Sequence, residues 1–353
     1  MKIIHTADVH LDSAMTSRLT PDKIRKRKRE LLSSFKRTAQ IAEREGAEAI
    51  IISGDLFDTD RVTLSTLESV VAIISSYPRI TFFYLFGNHE GDTLLASGIT
   101  LPKNLKTFSE GWTYYELGDL TVAGRCENTE DMFTTLKLDP ERKNIVLLHG
   151  ELADKSTAGR IGIRELAELP IDYLALGHYH SYSEARVSER TVAVYPGTPE
   201  GRGFDECGEK GVVLVEANGT LSHRFIRCAM RTLHTVSVDI SGKANAYEVE
   251  KATENATRGI PCEDIVRVLL VGERAITEEL DTDALVAWGT PRFFCFECRD
   301  DSRIRISADE FKNDKTLKGE FIRGVIADTT LTEEQKHRII TTGLRALLGE
   351  QID

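Results

Sequence analysis

The sequence predicts an α/β protein: a parallel sheet built from β-α-β units, a second sheet packed against it, and then a smaller α+β domain. Three observations lead there. Through the first ninety residues, apolar strand-like runs alternate with stretches of helical period; further apolar runs recur as far as Arg227; and from about Thr232 the pattern changes to shorter strands and helices.

The first strand is Ile3-Ile4-His5-Thr6-Ala7-Asp8-Val9-His10. Pro21 to Glu45 follows as a helix, because Ile24, Leu31, Leu32, Phe35, Ala39 and Ala42 fall near helical spacing and Gly46 stops it. Ala49 to Ser53 is a strand ending in Gly54-Asp55, Thr63 to Ser76 a helix, and Ile80 to Phe86 a strand ending in Gly87-Asn88-His89-Glu90. Two consecutive β-α-β units imply a parallel sheet. Thr113 to Leu117 and Leu120 to Ala123 flank Gly118-Asp119 as a hairpin. Asn144 to Leu148 stops at His149-Gly150, and Asp172 to Leu176 at Gly177-His178-Tyr179-His180. Thr191 to Tyr195, Gly211 to Glu216 and Leu221 to Arg227 are expected to be antiparallel strands closing the second sheet.

We place a boundary near Ala229, giving a first domain over 1–229. Beyond it, Leu233 to Ile240, Ile265 to Val271 and Phe293 to Glu297 read as strands, and Ala246 to Thr257 and Asp281 to Trp288 as helices, within a small α+β domain over 230–310. In the remaining 311–353, Thr332 and Gln335 form a capping-box pattern, and Ile340, Leu344, Leu347 and Leu348 make an apolar stripe. Such a stripe packs on its own domain or docks a partner.

The 353 residues, 41% apolar, can fill a sizeable core. No signal-peptide pattern follows Lys2 and no run approaches the ~20 apolar residues of a membrane span, so a cytoplasmic location and no membrane are expected. Six scattered cysteines suit reduced thiols. Cys295-Phe-Glu-Cys298 has zinc-knuckle spacing but lacks a second pair and reads as part of a strand. A formal charge of −11 disfavours uniform polyanion binding. Phosphates would need bound cations or a local patch such as Lys23 to Arg29, which reads equally as a solvated helix face.

Taken singly, a histidine after a strand is an ordinary loop residue, Gly54-Asp55 a turn and Asn88 a cap. Here two aspartates, one asparagine and five histidines fall at predicted strand ends on one sheet edge, where open α/β sheets collect ligands. Converged carboxylates and imidazoles without a cation are costly. Asp, His and Asn without cysteine suit manganese, iron or zinc. Seven candidate ligands exceed the needs of one ion; two ions sharing a carboxylate suit in-line displacement at phosphorus.

Asp8-Val9-His10, Gly54-Asp55 followed by Asp58, Gly87-Asn88-His89-Glu90, His149 in Leu147-Leu148-His149-Gly150, and Gly177-His178-Tyr179-His180 resemble, in order, the five motifs of the calcineurin-like metallophosphoesterases. The stretch Tyr195 to Phe204, with Glu206 and Glu209-Lys210-Gly211, is similar to the segment after the last motif in SbcD-type DNA repair exonucleases. The openings His5 to Asp12 and Gly54 to Thr59 are similar to that branch too. The resemblance covers 1–228.

The resemblance implies a four-layer α-β-β-α sandwich, two packed mixed sheets flanked by helices, with a C-terminal cap. It implies two divalent ions, manganese or else iron or zinc. Asp8, His10 and His180 would hold the first, Asn88, His149 and His178 the second, and Asp55 would bridge them. His89 would protonate the leaving oxygen, or else orient Asn88. Asp58 and Glu90 would support the ligands without touching the ions. Arg202 would touch a substrate phosphate, or pair with Glu206 or Glu209. The activity implied is a DNA exonuclease or endonuclease of SbcD type. The alternatives are a small phosphodiester, nucleotide or phosphoprotein as substrate, or a scaffolding role. Residues 230–310 would be the cap and 311–353 a dock for a coiled-coil ATPase of SbcC type, and related nucleases form homodimers. Between Glu273 and Glu310 ten acidic residues face five basic ones, so that domain would touch DNA only through a restricted face.

Overall fold

Apolar runs with no polar alternation become strands buried on both faces. In the computed structural model, which describes residues 1–15, 19–243, 245–275, 280–305 and 313–347, the chain forms two units, Met1–Leu233 and His234–Asp353. The first contains β1 (Lys2–Thr6), α1 (Pro21–Glu45), β2 (Ala49–Ser53), α2 (Leu64–Ser75), β3 (Thr81–Leu85), α3 (Thr93–Ala96), β4 (Leu105–Thr107), β5 (Thr113–Leu117) and β6 (Leu120–Gly124). It continues with β7 (Lys143–His149), β8 (Glu151–Ala153), β9 (Arg160–Gly162), α4 (Ile163–Ala167), β10 (Tyr173–Gly177), β11 (Ser183–Arg186), β12 (Val192–Tyr195), β13 (Gly211–Glu216) and β14 (Ser222–Arg227).

Two six-stranded sheets result, in the orders β14-β13-β1-β2-β3-β4 and β11-β12-β10-β7-β6-β5. Alternate residues of each strand enter different cores. Ile3, Ile51 and Phe83 meet Val122, Ile145, Leu147 and Tyr173 between the sheets. Ile4, Ile50, Ile52 and Phe82 face Leu31, Phe35, Leu67 and Val70 of α1 and α2. On the far side Val146, Leu148, Leu174 and Leu176 pack with Leu166 of α4 and with Met132 and Phe133 of a 3₁₀ turn. The order is helix, sheet, sheet, helix. In α1, Pro21 sits at the start, where its missing N–H costs nothing, and Gly46 ends the helix at φ 68°. Each fully buried side chain such as Leu31 or Phe35 contributes about 1.5–3 kcal/mol.

The strand pairing differs from expectation at three strands. β13 and β14 do not close the second sheet: β13 pairs antiparallel with β1, and β14 forms that sheet's edge. Val213 and Val215 enter the core between the sheets while Val212 and Leu214 enter the helix-covered one, so β13 is buried on both faces beside β1. β12 runs parallel to β10, because β11 returns the chain along the sheet's edge first.

The second unit, reached through β15 (Leu233–Asp239), contains α5 (Ala246–Ala256), β16 (Ile265–Val271), β17 (Glu273–Ala275), α6 (Thr282–Gly289), β18 (Cys295–Asp300), β19 (Arg303–Arg305), α7 (Leu317–Ala327) and α8 (Glu333–Leu347). β15, β16 and β18 form one sheet, on which Val249 and Leu285 pack. Cys295 and Cys298 lie on β18 as free thiols. Thr332 and Gln335 exchange the two reciprocal bonds of a capping box, at 2.8 and 3.2 Å. Ile340 and Leu344 of the apolar stripe pack on Ile322 of α7; the side chain of Leu347 and all of Leu348 lie outside the described residues. Among the described residues no helix is long and apolar enough to cross a membrane.

Candidate metal centre

The carboxyl ends of β1, β2, β3, β7 and β10 meet at one edge, and the backbone there is strained. Asp8, His10, Asp55 and His178 hold φ of 51°, 49°, 50° and 117°; they are four of the six non-glycine residues with positive φ among the described residues. For ordinary side chains each such conformation costs about 1–3 kcal/mol and persists only where the surroundings enforce it. Glycine supplies the closest approach. A Cβ on Gly54 would lie 2.1 Å from Nδ1 of His149, and one on Gly87 2.1 Å from Oδ1 of Asp55.

Hydrogen bonding fixes which nitrogen of each ring faces inward. His149 Nδ1 is 2.9 Å from the Ser53 carbonyl, which can only accept, so Nδ1 donates to it and in the neutral ring Nε2 is left with a lone pair, which a proton or a cation can take. That lone pair faces Asn88 Oδ1 at 2.9 Å and Asp55 Oδ2 at 3.3 Å. His10 Nδ1 lies 3.0 Å from Asp58, and His180 Nδ1 2.7 Å from Glu206, so their Nε2 atoms also turn inward, 3.1 Å apart. Acceptors facing acceptors at these distances repel unless a proton or a cation lies between them. The donor set therefore fits divalent cations.

Asp8, His10 and His180 offer ligand atoms within 4.8 Å of one another, and so do Asp8, Asp55 and His149. Asp55 reaches across both groups, since Oδ2 is also 3.8 Å from His10 Nε2. Charge is distributed unevenly. Burial, reinforced by the charge of Asp55, pushes Asp8 up to about 7. Burial opposes ionisation of Asp55 as well, yet the bond and charge of His149 outweigh it and hold Asp55 at about 2. For His149 burial works downward, but the bond and charge of Asp55 raise it to about 9. Burial lowers His10 and His178.

A family model described as calcineurin-like phosphoesterase matches residues 1–182. The chain belongs to the calcineurin-like phosphoesterase family. Relatives of this phosphoesterase include the uncharacterized metallophosphoesterase YhaO of Bacillus subtilis, 26% identical over 72% of this chain and 67% of that protein. The DNA double-strand break repair protein Mre11 of Methanopyrus kandleri is 25% identical over 100% of this chain and 83% of the relative. A subunit of the nuclease SbcCD of Staphylococcus epidermidis is 25% identical over 64% of this chain and 69% of its own.

Of the residues singled out in the sequence, Asp8, His10, Asp55, Asn88, His149 and His180 converge as described. His178 joins through its backbone N–H, 3.0 Å from both carboxylate oxygens of Asp8, and its ring packs edge-on against His149. His89 is half exposed; its N–H donates to Asp55 Oδ1 at 3.2 Å and its Nε2 is 4.0 Å from Oδ2. Glu90 stays behind the ligands. Its carboxylate accepts from Leu56, Phe57 and Gly87 N–H at 3.1, 2.7 and 3.1 Å, stitching the Asp55 loop to the Asn88 loop. Arg202 takes the pairing alternative, with Glu206 and Asp58 each at 2.7 Å, while Glu209 lies 3.6 Å from Arg227. Sequence reasoning offered Glu206 as a partner of Arg202 but missed that it backs His180, 2.7 Å from Nδ1. It sits in an aperiodic loop, and its signals are the segment after the last histidine motif and the nearby arginine. His5 is fully buried between the sheets.

Proposed function

We propose that this metal-dependent phosphoesterase is a two-metal phosphodiesterase of SbcD type that cleaves the DNA backbone as an exonuclease or endonuclease in DNA repair. The observation that carries the reading is the inward-facing set of the Nε2 atoms of His10, His149 and His180 among Asp8, Asp55 and Asn88 oxygens. Asp8, His10 and His180 would hold one ion, Asn88, His149 and His178 the other, and Asp55 would be shared. Bound ions, manganese in this reading with iron or zinc as alternatives, supply Lewis acidity toward the phosphate and an ionised water. The chain's own residues do the rest. His89, beside Asp55 yet open to solvent, can pass a proton to the leaving oxygen, a role suited to imidazole at neutral pH. Asp58 and Glu90 keep the ligands in place.

Relatives named for double-strand break repair and nuclease activity support DNA as substrate. In this reading 230–310 is a cap and 311–353 a dock for an SbcC-type coiled-coil ATPase, in a cytoplasmic complex that pairs as a homodimer. The net charge of −11 favours a second reading, a small phosphodiester, nucleotide or phosphoprotein, because it disfavours extended polyanion contact. Purified protein with manganese and single- or double-stranded DNA decides. Cleavage lost in Asp55→Ala and reduced by about 100-fold or more in His89→Ala is expected. No cleavage by the wild type, with a chromogenic bis-ester turned over, sinks the DNA reading; equal cleavage by both variants sinks the residue roles.

A further inference from the structure

We propose that Arg202, Glu206 and Lys210 form a positioning clamp that sets the orientation of His10 and His180, and with it the affinity of one side of the metal centre only; this rests on the two-metal reading above. Five side chains close a ring. His10 Nε2 faces His180 Nε2 at 3.1 Å, and His180 Nδ1 meets Glu206 Oε1 at 2.7 Å. Glu206 Oε1 takes Arg202 Nε at 3.0 Å and Nη2 at 2.7 Å. Arg202 Nη1 reaches Asp58 Oδ1 at 2.7 Å, and that same oxygen is 3.0 Å from His10 Nδ1. Arg202 Nη2 also lies 3.3 Å from His180 Nδ1, but two donors cannot bond each other, and the shorter contact to Glu206 assigns the proton of Nδ1. Lys210 Nζ holds the carbonyl of His180 at 2.7 Å, so this residue is gripped at ring and backbone.

The clamp is itself anchored. Glu200, just before Arg202 in no regular element and fully buried, bonds Arg27 of α1 at 2.9 Å and the Met230 N–H at 2.6 Å. Arg27, inside the basic run of α1, is thereby fully buried and unable to serve a phosphate. The two sides of the centre differ. His10 and His180 are each backed by a carboxylate, and one guanidinium ties the two carboxylates together; His149 is backed by the neutral carbonyl of Ser53. A carboxylate behind an imidazole raises its basicity as a ligand and fixes its tautomer, and loss of such a partner weakens metal binding about 10–100-fold.

The test is manganese binding at equilibrium, by calorimetry and by the electron paramagnetic resonance of bound ion, on the full chain of wild type, Glu206→Ala, Glu206→Gln and Arg202→Met. The melting temperature of each chelated protein is measured alongside. We expect wild type to bind two ions. Glu206→Ala and Arg202→Met should weaken one by about 10–100-fold and leave the other unchanged, and Glu206→Gln, which can still accept from His180, should fall between. Variants that melt earlier yet bind both ions with wild-type affinity overturn the clamp while leaving the metal reading intact, as does equal weakening of both ions. A wild type that takes up no manganese overturns the metal reading itself. Should Glu206→Ala fail to fold, Glu206→Gln against Arg202→Met decides on the same criterion.

Discussion

Acidification should destabilise this protein through one residue that touches no substrate. His5 is fully buried between the sheets, with Nδ1 2.9 Å from the Tyr173 hydroxyl and Nε2 3.1 Å from that of Ser53. Burial lowers it to about 3, from an ordinary value of 6.5, with a bond to the Leu176 backbone working the other way. Between these values the unfolded chain binds a proton that the folded chain refuses, so stability is whole above pH 6.5 and falls with acid down to about pH 3. At about 1.36 kcal/mol per unit, His5 alone removes about 2 kcal/mol by pH 5 and about 3 kcal/mol by pH 4. Urea unfolding of wild type and His5→Gln in chelator, from about pH 4 to pH 7.5, isolates it, because glutamine keeps polar contacts and does not titrate. The wild type should lose stability more steeply, with the difference between the two proteins changing by about 2 kcal/mol between pH 7 and 5. Parallel profiles would refute the argument.

Three further outcomes follow from the geometry. Gly87→Ala places a Cβ 2.1 Å from Asp55 Oδ1, so phosphoesterase activity should drop at least about 100-fold while circular dichroism stays native; full activity would show that Asp55 has room to move. Arg27→Met leaves the carboxylate of Glu200 buried without its cation, while Glu30 keeps Arg231 at 2.7 Å, and should cost about 3–5 kcal/mol in urea unfolding, where a surface ion pair would cost under about 1. Chelation should lower the melting temperature and abolish turnover together, and manganese at about 100 times its dissociation constant should restore about 2.7 kcal/mol; calorimetry showing no shift would contradict an ion held by the folded state.

The layers were legible because β1, β2, β3, β7 and β10 are apolar on both faces, and a polar residue ending such a run is conspicuous. His149 after Leu148 and Asp55 after Ser53-Gly54 are of this kind. Which sheet a strand joins was not legible. β13 reads as a strand from its valines, but its neighbour is β1, at the far end of the domain, and no local pattern names that partner. β11 exposes all four residues, Ser183 to Arg186, so it lacks the apolar signal and was passed over. Arg202 illustrates the limit at the site: its charge suits a phosphate or a pair with Glu206 or Glu209 equally, and a loop with no period to read decides for Glu206 and adds Asp58.

The strained loops and the metal reading bear on each other. Positive φ at Asp8, His10, Asp55 and His178, at about 1–3 kcal/mol apiece, together with acceptors turned toward acceptors, is an unfavourable arrangement for packing alone. Apolar side chains of similar volume would fill the same edge with less strain, as they fill the core below it. The arrangement is retained because Glu90, Glu206 and the Ser53 carbonyl hold the loops from behind, which leaves the inward atoms no freedom to turn away from one another. Preorganisation of this sort shifts the cost of assembling a metal site from binding to folding. Loosening a support relieves strain in the chelated protein but deprives the loaded one of its ready-made site. Glu90→Gln should therefore narrow the gap between metal-loaded and chelated melting temperatures, and an equal drop in both would contradict this account of the strain.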